Sequence, residues 1–208
     1  MVASRRQLAG PALVIAPRLL GAVVESDLGG VHVAVRLTEV EAYEGMDDPA
    51  SHAYRGRTAR TAVMFGPPGH LYCYFTYGMH WCANIVCGTD GVAAAVLLRA
   101  GEVVAGVPAA RARRPAARHD VDLARGPARL ASCLGVGRAE NGLDLCDPAS
   151  PVRLLSVPRR QPDAVEAGPR VGITAAAEHP WRFWLPGEPS VSAYKAGGRK
   201  RPRLRPAD

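Results

Sequence analysis

The chain predicts a single α+β domain: a curved, mostly antiparallel β-sheet, a protruding β-hairpin and a few short helices. Three observations carry that expectation. From Val31 apolar and polar residues alternate with a period of two, the mark of a strand with one buried face. Two further apolar and aromatic runs, residues 70–77 and 80–87, meet near Tyr77-Gly78-Met79, where a tight turn folds one onto the other. Helical signals are short, the clearest being Gly126-Pro127, with proline at a first helical position, closed by Gly135. At 208 residues, 48% hydrophobic and 22% charged, the chain can bury one substantial core.

In chain order, residues 17–24 read as a short helix or turn feeding a strand, and Gly29-Gly30 as a turn. Val31, Val33, Val35 and Leu37 then share one face, opposite His32, Ala34, Arg36 and Thr38. Extending that alternation carries Glu39, Glu41 and Tyr43 to the end of the apolar face. A carboxylate there is costly unless partners or a shifted pKa compensate, so this strand end is a candidate site. Residues 44–69 form a long irregular connection, a length that in a compact domain signals function. Asp90-Gly91 turns the chain into a strand from Val92 to Arg99. Arg111–Arg118 reads as a basic Ala/Pro-rich connection, and Val152–Val157, Arg170–Ile173 and Arg182–Leu185 as short later strands.

Charge is unevenly spread. Residues 195–208, with six Lys or Arg and one Asp, supply +5 of the net +7, leaving the body nearly neutral. A nucleic-acid footprint would therefore be a local patch plus a tail, and the chain divides into a domain (1–194) and a basic, flexible tail (195–208). Both lysines, Lys195 and Lys200, lie in the tail, so Arg and His carry all basic chemistry before it. Schiff-base catalysis from the body, which needs an amine, is not expected. Five cysteines without a CxxC pair fit core positions in a reducing compartment better than disulfides or structural zinc.

Ser4-Arg5-Arg6 before an apolar run imitates a twin-arginine signal, but Pro11, Pro17 and Arg18 interrupt it. The segment reads as the start of a cytoplasmic protein, and no run reaches membrane-spanning length. The tyrosines of Leu71–Met79 make a slot suited to a flat ligand. Together with a costly acid, such a slot points to chemistry on a base or similar ring. Period alone does not choose between Glu39 and Glu41.

These residues resemble the alkyladenine (3-methyladenine) DNA glycosylases, the single-domain type found in bacteria and mammals. The resemblance is carried by Glu39-Val-Glu-Ala-Tyr43, Ser51-His52, Met64-Phe65, Pro68-Gly-His-Leu-Tyr72, Tyr74, Tyr77-Gly-Met79, Asn84 and Val96-Leu-Leu-Arg99. Fainter echoes are Pro17-Arg-Leu-Leu-Gly21, Gly126-Pro-Ala-Arg-Leu130 and Arg170-Val-Gly172. The resemblance implies excision of alkylated or deaminated purines from double-stranded DNA. A monomer is expected, because wrapping DNA needs no dimer symmetry, and no metal or organic cofactor, because His52, His70 and His80 lack ligand spacing. By the same resemblance Glu41 activates water and Arg99 assists near the acid and the phosphate. Tyr43, His52 and Tyr74 sandwich the extruded base, and Asn84 crowds its 2-amino position. Tyr77, with Met79 beside it, wedges into the stack, because a base inside a duplex must be rotated out to be reached. Glu39 is then a partner residue. Missing lysine implies base removal only, leaving an abasic site. The chain departs from the family pattern at Ala59-Arg60-Thr61 and His80-Trp81, which bears on lesion range and loop geometry.

Two rivals use the same residues differently: a non-catalytic nucleic-acid-binding module with a structural Glu41, and a glycosidase or nucleosidase using both acids. The second meets a geometric objection. Residues two apart on a strand lie about 6.5–7 Å apart on one side, whereas glycosidase carboxyls flank the scissile bond.

Overall fold

The structure, a computed structural model, describes residues 1–155 and 164–198. Helices α1 (Arg5–Leu8) and α2 (Ala12–Leu19) lead into strand β1 (Val23–Ser26) and the long β2 (Val33–Tyr43). The hairpin β3 (Leu71–Thr76) and β4 (His80–Cys87) follows, then β5 (Ala94–Ala105), α3 (Val107–Arg113) and α4 (Pro127–Leu134). Three short strands close the order: β6 (Val152–Leu154), β7 (Glu166–Gly168) and β8 (Arg182–Trp184). Among the described residues these strands form one antiparallel sheet in the order β3-β4-β5-β2-β1-β6. Where β1 leaves β2, β8 takes over the same edge opposite Glu39–Glu41 and carries β7 outward.

One face of the sheet packs on α2 and α4. Ile15 and Leu19 from α2 and Leu130, Cys133 and Leu134 from α4 join Leu37, Val40, Ile85, Val96 and Leu98 in one buried cluster. At α4 the proline start holds, and Gly135 closes the helix at φ 74, the left-handed value that suits glycine.

The alternation of β2 does not continue as its sequence suggests. Val33, Val35 and Leu37 are core residues, but beyond them Val40 and Ala42 take the core positions. The register explains the switch: Leu37 faces Gly101, Glu39 faces Ala100 and Val40 faces Leu98, so Thr38 on β2 and Arg99 on β5 are extra residues. A bulge moves every later side chain to the opposite face. Glu39, Glu41 and Tyr43 thus leave the core side. The strands can approach this closely because residue 101 is glycine, where a Cβ would lie 2.5 Å from the Arg36 carbonyl oxygen.

Other expectations shift by a few residues. The first main helix begins at Ala12, ahead of residue 17. Of the stretch 111–118 expected as a connection, residues 111–113 belong to helix α3, whose alanines and arginines favour it. Arg170–Ile173 is not a strand: Pro169 lacks a ladder donor and Gly172 takes φ 74, so β7 ends at Gly168. Arg99 lies within β5, not at its end. Residues 156–157 of the strand expected over 152–157, and 199–208 of the basic tail, lie outside the described residues. The segment imitating an export signal is part of the fold, where Arg5 donates to Asp144 at 2.5 Å and to the Pro68 carbonyl at 2.6 Å. Among the described residues no helix is long and apolar enough to cross a membrane.

Candidate active site

Register across the sheet assembles the site. Glu41 faces Leu97, Leu97 faces Asn84, and Asn84 faces Tyr72, one row across four strands on the face away from the helices. Tyr43, Tyr74 and Cys82 lie along the same face, so the buried Cys82 also borders the cavity. The long connection brings His52 and Met64 over this row, and Val171 with Gly172 closes it from the far end of the chain. Together they enclose a cavity of about 230 Å³.

Glu41 forms part of the cavity wall yet is inaccessible to bulk solvent. Its Oε1 accepts the Val171 amide at 2.7 Å and lies 3.2 Å from Arg99 Nη1. Its Oε2 accepts the Tyr43 hydroxyl at 2.9 Å. A carboxylate offers about four acceptor directions, so one direction on Oε2 stays uncommitted. Burial pushes the Glu41 carboxyl above its ordinary value, and Arg99, the Val171 amide and the Tyr43 hydroxyl offset this only in part. Burial, then the Glu41 charge, hold Tyr43 well above the usual phenol range, so it remains a donor.

Glu39 contrasts with Glu41 at every point. Its Oε1 accepts Arg99 Nε and Arg182 Nε, both at 2.7 Å, and Ser192 Oγ at 2.9 Å, while Oε2 accepts the Ser192 amide at 2.7 Å. Burial raises its pKa, but Arg99, Ser192 and Arg182 together outweigh that and hold the carboxyl below its ordinary value. Glu39 is therefore committed to its partners. A glycosidase with two working carboxyls has only one available here.

The aromatic walls are linked. His52 meets the Tyr74 ring edge-on at 4.4 Å between centroids, and its Nδ1 lies 3.2 Å from the Tyr72 hydroxyl. Desolvation, then the Arg60 charge, bring His52 down to about 4, so its ring is neutral at neutral pH. Asn84 is tied by Nδ2 to the Tyr72 carbonyl at 3.0 Å and cannot swing aside.

Tyr77 stands at the hairpin tip, 76% exposed, on the rim of this cavity. Its φ of 52 and the φ of 69 at Gly78 are both left-handed, the pair a type I′ turn requires, and Met79 N–H donates to the Thr76 carbonyl at 3.2 Å. Met79 is equally prominent but faces the other flank of the hairpin. There a cleft of about 1040 Å³ is lined by Arg113, Arg114, Arg118, Arg129 and Arg138. This larger cleft holds neither the acid nor the tyrosine slot. Its arginines come from α3, α4 and the loops beside them, a local positive patch on a nearly neutral body.

Of the eight residues singled out in the sequence, six line the cavity and Tyr77 stands at its rim, whereas Met79 lies on the other flank of the hairpin. In the sequence Tyr72 stands out only as the end of Pro68-Gly-His-Leu-Tyr72, although its spacing of two from Tyr74 places it on the same face. Arg170 and Val171 carry only the faint echo Arg170-Val-Gly172, and Asp48, Arg182 and Ser192 no site signal, because they reach the site from distant segments.

This arrangement coincides with a sequence match. Residues 6–189 match the family described as methylpurine-DNA glycosylase. The chain belongs to the methylpurine-DNA glycosylase family. It is 54% identical over 202 residues to a protein of Streptomyces avermitilis, covering 96% of this chain and 95% of that one. A Nocardia farcinica protein is 53% identical over 189 residues (88% and 87% covered), and one from Leifsonia xyli subsp. xyli 54% over 191 (88% of each). All three carry the name "Putative 3-methyladenine DNA glycosylase". Family membership makes the chain a DNA glycosylase of base-excision repair, an enzyme whose substrate is DNA. It also sets aside the non-catalytic module.

Proposed function

We propose that this glycosylase rotates an alkylated or deaminated purine out of duplex DNA and seats it among Tyr43, His52 and Tyr74. Glu41 then activates a water that attacks the anomeric carbon as the purine departs. The observation that carries the reading is the Glu41 carboxylate, raised in pKa and with one acceptor direction uncommitted, bordering an aromatic cavity of about 230 Å³. Raising the pKa of a buried acid brings it toward the range in which it can take a proton at neutral pH. Until that proton is taken, the carboxylate charge stabilises the oxocarbenium-like transition state. Stacking contributes roughly 1–3 kcal/mol per base and favours electron-poor alkylated purines. Arg99 holds Glu41 and Glu39 in one frame, and the fixed amide of Asn84 meets a guanine 2-amino group with a clash.

Tyr77 fills the gap left in the stack, with Met79 beside it, while the arginine cleft on the opposite flank takes backbone phosphates. No lysine precedes Lys195, so the reaction stops at an abasic site. The enzyme acts as a monomer in the cytoplasm, at the nucleoid, since one chain supplies every group named. The test is a panel of duplex oligonucleotides carrying hypoxanthine, 3-methyladenine, ethenoadenine or 7-methylguanine, scored by base release and then alkaline cleavage. Glu41→Gln should retain lesion binding and lose excision. Undiminished excision by Glu41→Gln, or turnover of free inosine as fast as DNA, would overturn the reading.

A further inference from the structure

Arg170 is among the largest fully buried side chains, 1% exposed, and lies outside the sheet just before the turn at Val171-Gly172. Its Nη1 donates to Asp48 Oδ2 at 2.5 Å and to the Ala42 carbonyl at 3.0 Å, and its Nη2 donates to Asp48 Oδ1 at 2.8 Å. Its guanidinium carbon lies 4.6 Å from the Tyr43 ring centre and 4.9 Å from that of Trp181. Removing an ion pair from water is expensive, and apolar residues of similar volume often serve stability as well. A planar fork, however, fixes orientation in a way they cannot.

What it orients follows from two hydrogen bonds. Glu41 has two uncharged donors, the Tyr43 hydroxyl and the Val171 amide. Tyr43 stacks on the Arg170 guanidinium, and Val171 is the next residue in the chain. Both donors therefore converge on Arg170, one through ring stacking and one through a peptide bond. The Arg170 fork is in turn anchored to the long connection by Asp48, four residues before His52.

We propose that Arg170, clamped by Asp48 between the Tyr43 and Trp181 rings, is a positioning residue that orients the Glu41 carboxylate for water activation. The proposal rests on the reading of Glu41 as the base. Arg170 touches no substrate and acts only through the two donors it holds. Displacing them misaligns the carboxylate and withdraws hydrogen bonds from its ionised form.

The experiment measures single-turnover excision against pH for wild type, Arg170→Lys, Arg170→Met, Asp48→Asn and Glu41→Gln, with lesion-duplex affinity and melting curves in parallel. In the Arg170 variants the plateau rate is expected to fall on the order of 10- to 100-fold with affinity little changed, as for other small misplacements of catalytic groups. The acidic limb should move to higher pH, because a carboxylate that loses donors protonates more readily. Asp48→Asn keeps the shape and should show the same displacement in smaller measure, which covers the case of an unstable Arg170 variant. A purely structural role predicts lower melting temperatures and a smaller active fraction with the limb unmoved, and that result would overturn the proposal. Normal excision by Glu41→Gln would instead remove the reading of the base. An inactive Glu41→Gln beside unaffected Arg170 and Asp48 variants would remove only the positioning role.

Discussion

Glu39 and Glu41 sit two residues apart on one strand, and their pKa values are shifted in opposite directions. Four donor contacts to Glu39 outweigh its burial, whereas burial of Glu41 outweighs the contacts it has. Adjacent acids on one strand face are thus divided between holding the site together and carrying out its chemistry.

That division predicts opposite mutational outcomes. Glu39→Ala leaves Arg182 buried without its carboxylate and Arg99 with one carboxylate in place of two. We expect a loss of about 3 kcal/mol, the lower end for breaking a buried pair. Glu41→Gln removes a charge whose burial is costly, so stability at neutral pH should hold or rise, while excision falls about 10²–10⁴-fold. Urea denaturation and single-turnover assays of both variants check the contrast.

Stability should follow pH in opposite senses at the two acids. Glu39 has a lowered pKa, so its contribution is present above the unfolded-state value and lost as pH falls through the folded one. Glu41 has a raised pKa, so its ionisation costs stability as pH rises through the folded value. The stability gap between wild type and Glu39→Gln should therefore close in acid, and any advantage of Glu41→Gln should vanish there. Melting temperatures measured from pH 7 down to pH 3 decide this.

His52, near pKa 4, should stay neutral through the working range. Its folded value lies below the unfolded one, so its contribution is complete above about pH 6.5 and is lost as pH falls toward 4. The acidic limb of excision should therefore persist in His52→Gln. Disappearance of that limb would reassign it from Glu41 to the histidine.

Tyr77 combines a prominent ring with a left-handed backbone that glycine adopts more readily. Tyr77→Gly should leave the melting temperature unchanged or slightly raised while excision from a fully paired duplex falls about tenfold, the loss expected of a wedge. Excision of the same lesion in single strands should fall less. Equal losses on both substrates would remove the wedge role.

Binding should weaken steeply with salt. Each phosphate contact removed lowers the slope of log K against log salt by about 0.9. Arg114→Gln and Arg129→Gln should each do so with little change in single-turnover rate on saturated enzyme. An unaltered slope in both would take the arginine cleft out of the footprint.

In the sequence alone, the resemblance to the glycosylase family collected Tyr43, His52, Tyr74, Asn84 and Arg99 around Glu41, while strand period and turn residues were enough to indicate an antiparallel α+β domain with a projecting hairpin. Those features are local, because side-chain alternation and turn geometry depend on near neighbours. Only the tertiary structure decided which side of β2 carries the acids. The paired bulges at Thr38 and Arg99 arise from the mutual register of two strands, and nothing within either strand announces them. The same holds for Arg182 and Ser192 around Glu39, and for the Arg170–Asp48 clamp behind Tyr43. Their partners lie more than a hundred residues away in the chain, and such encounters have no period to read.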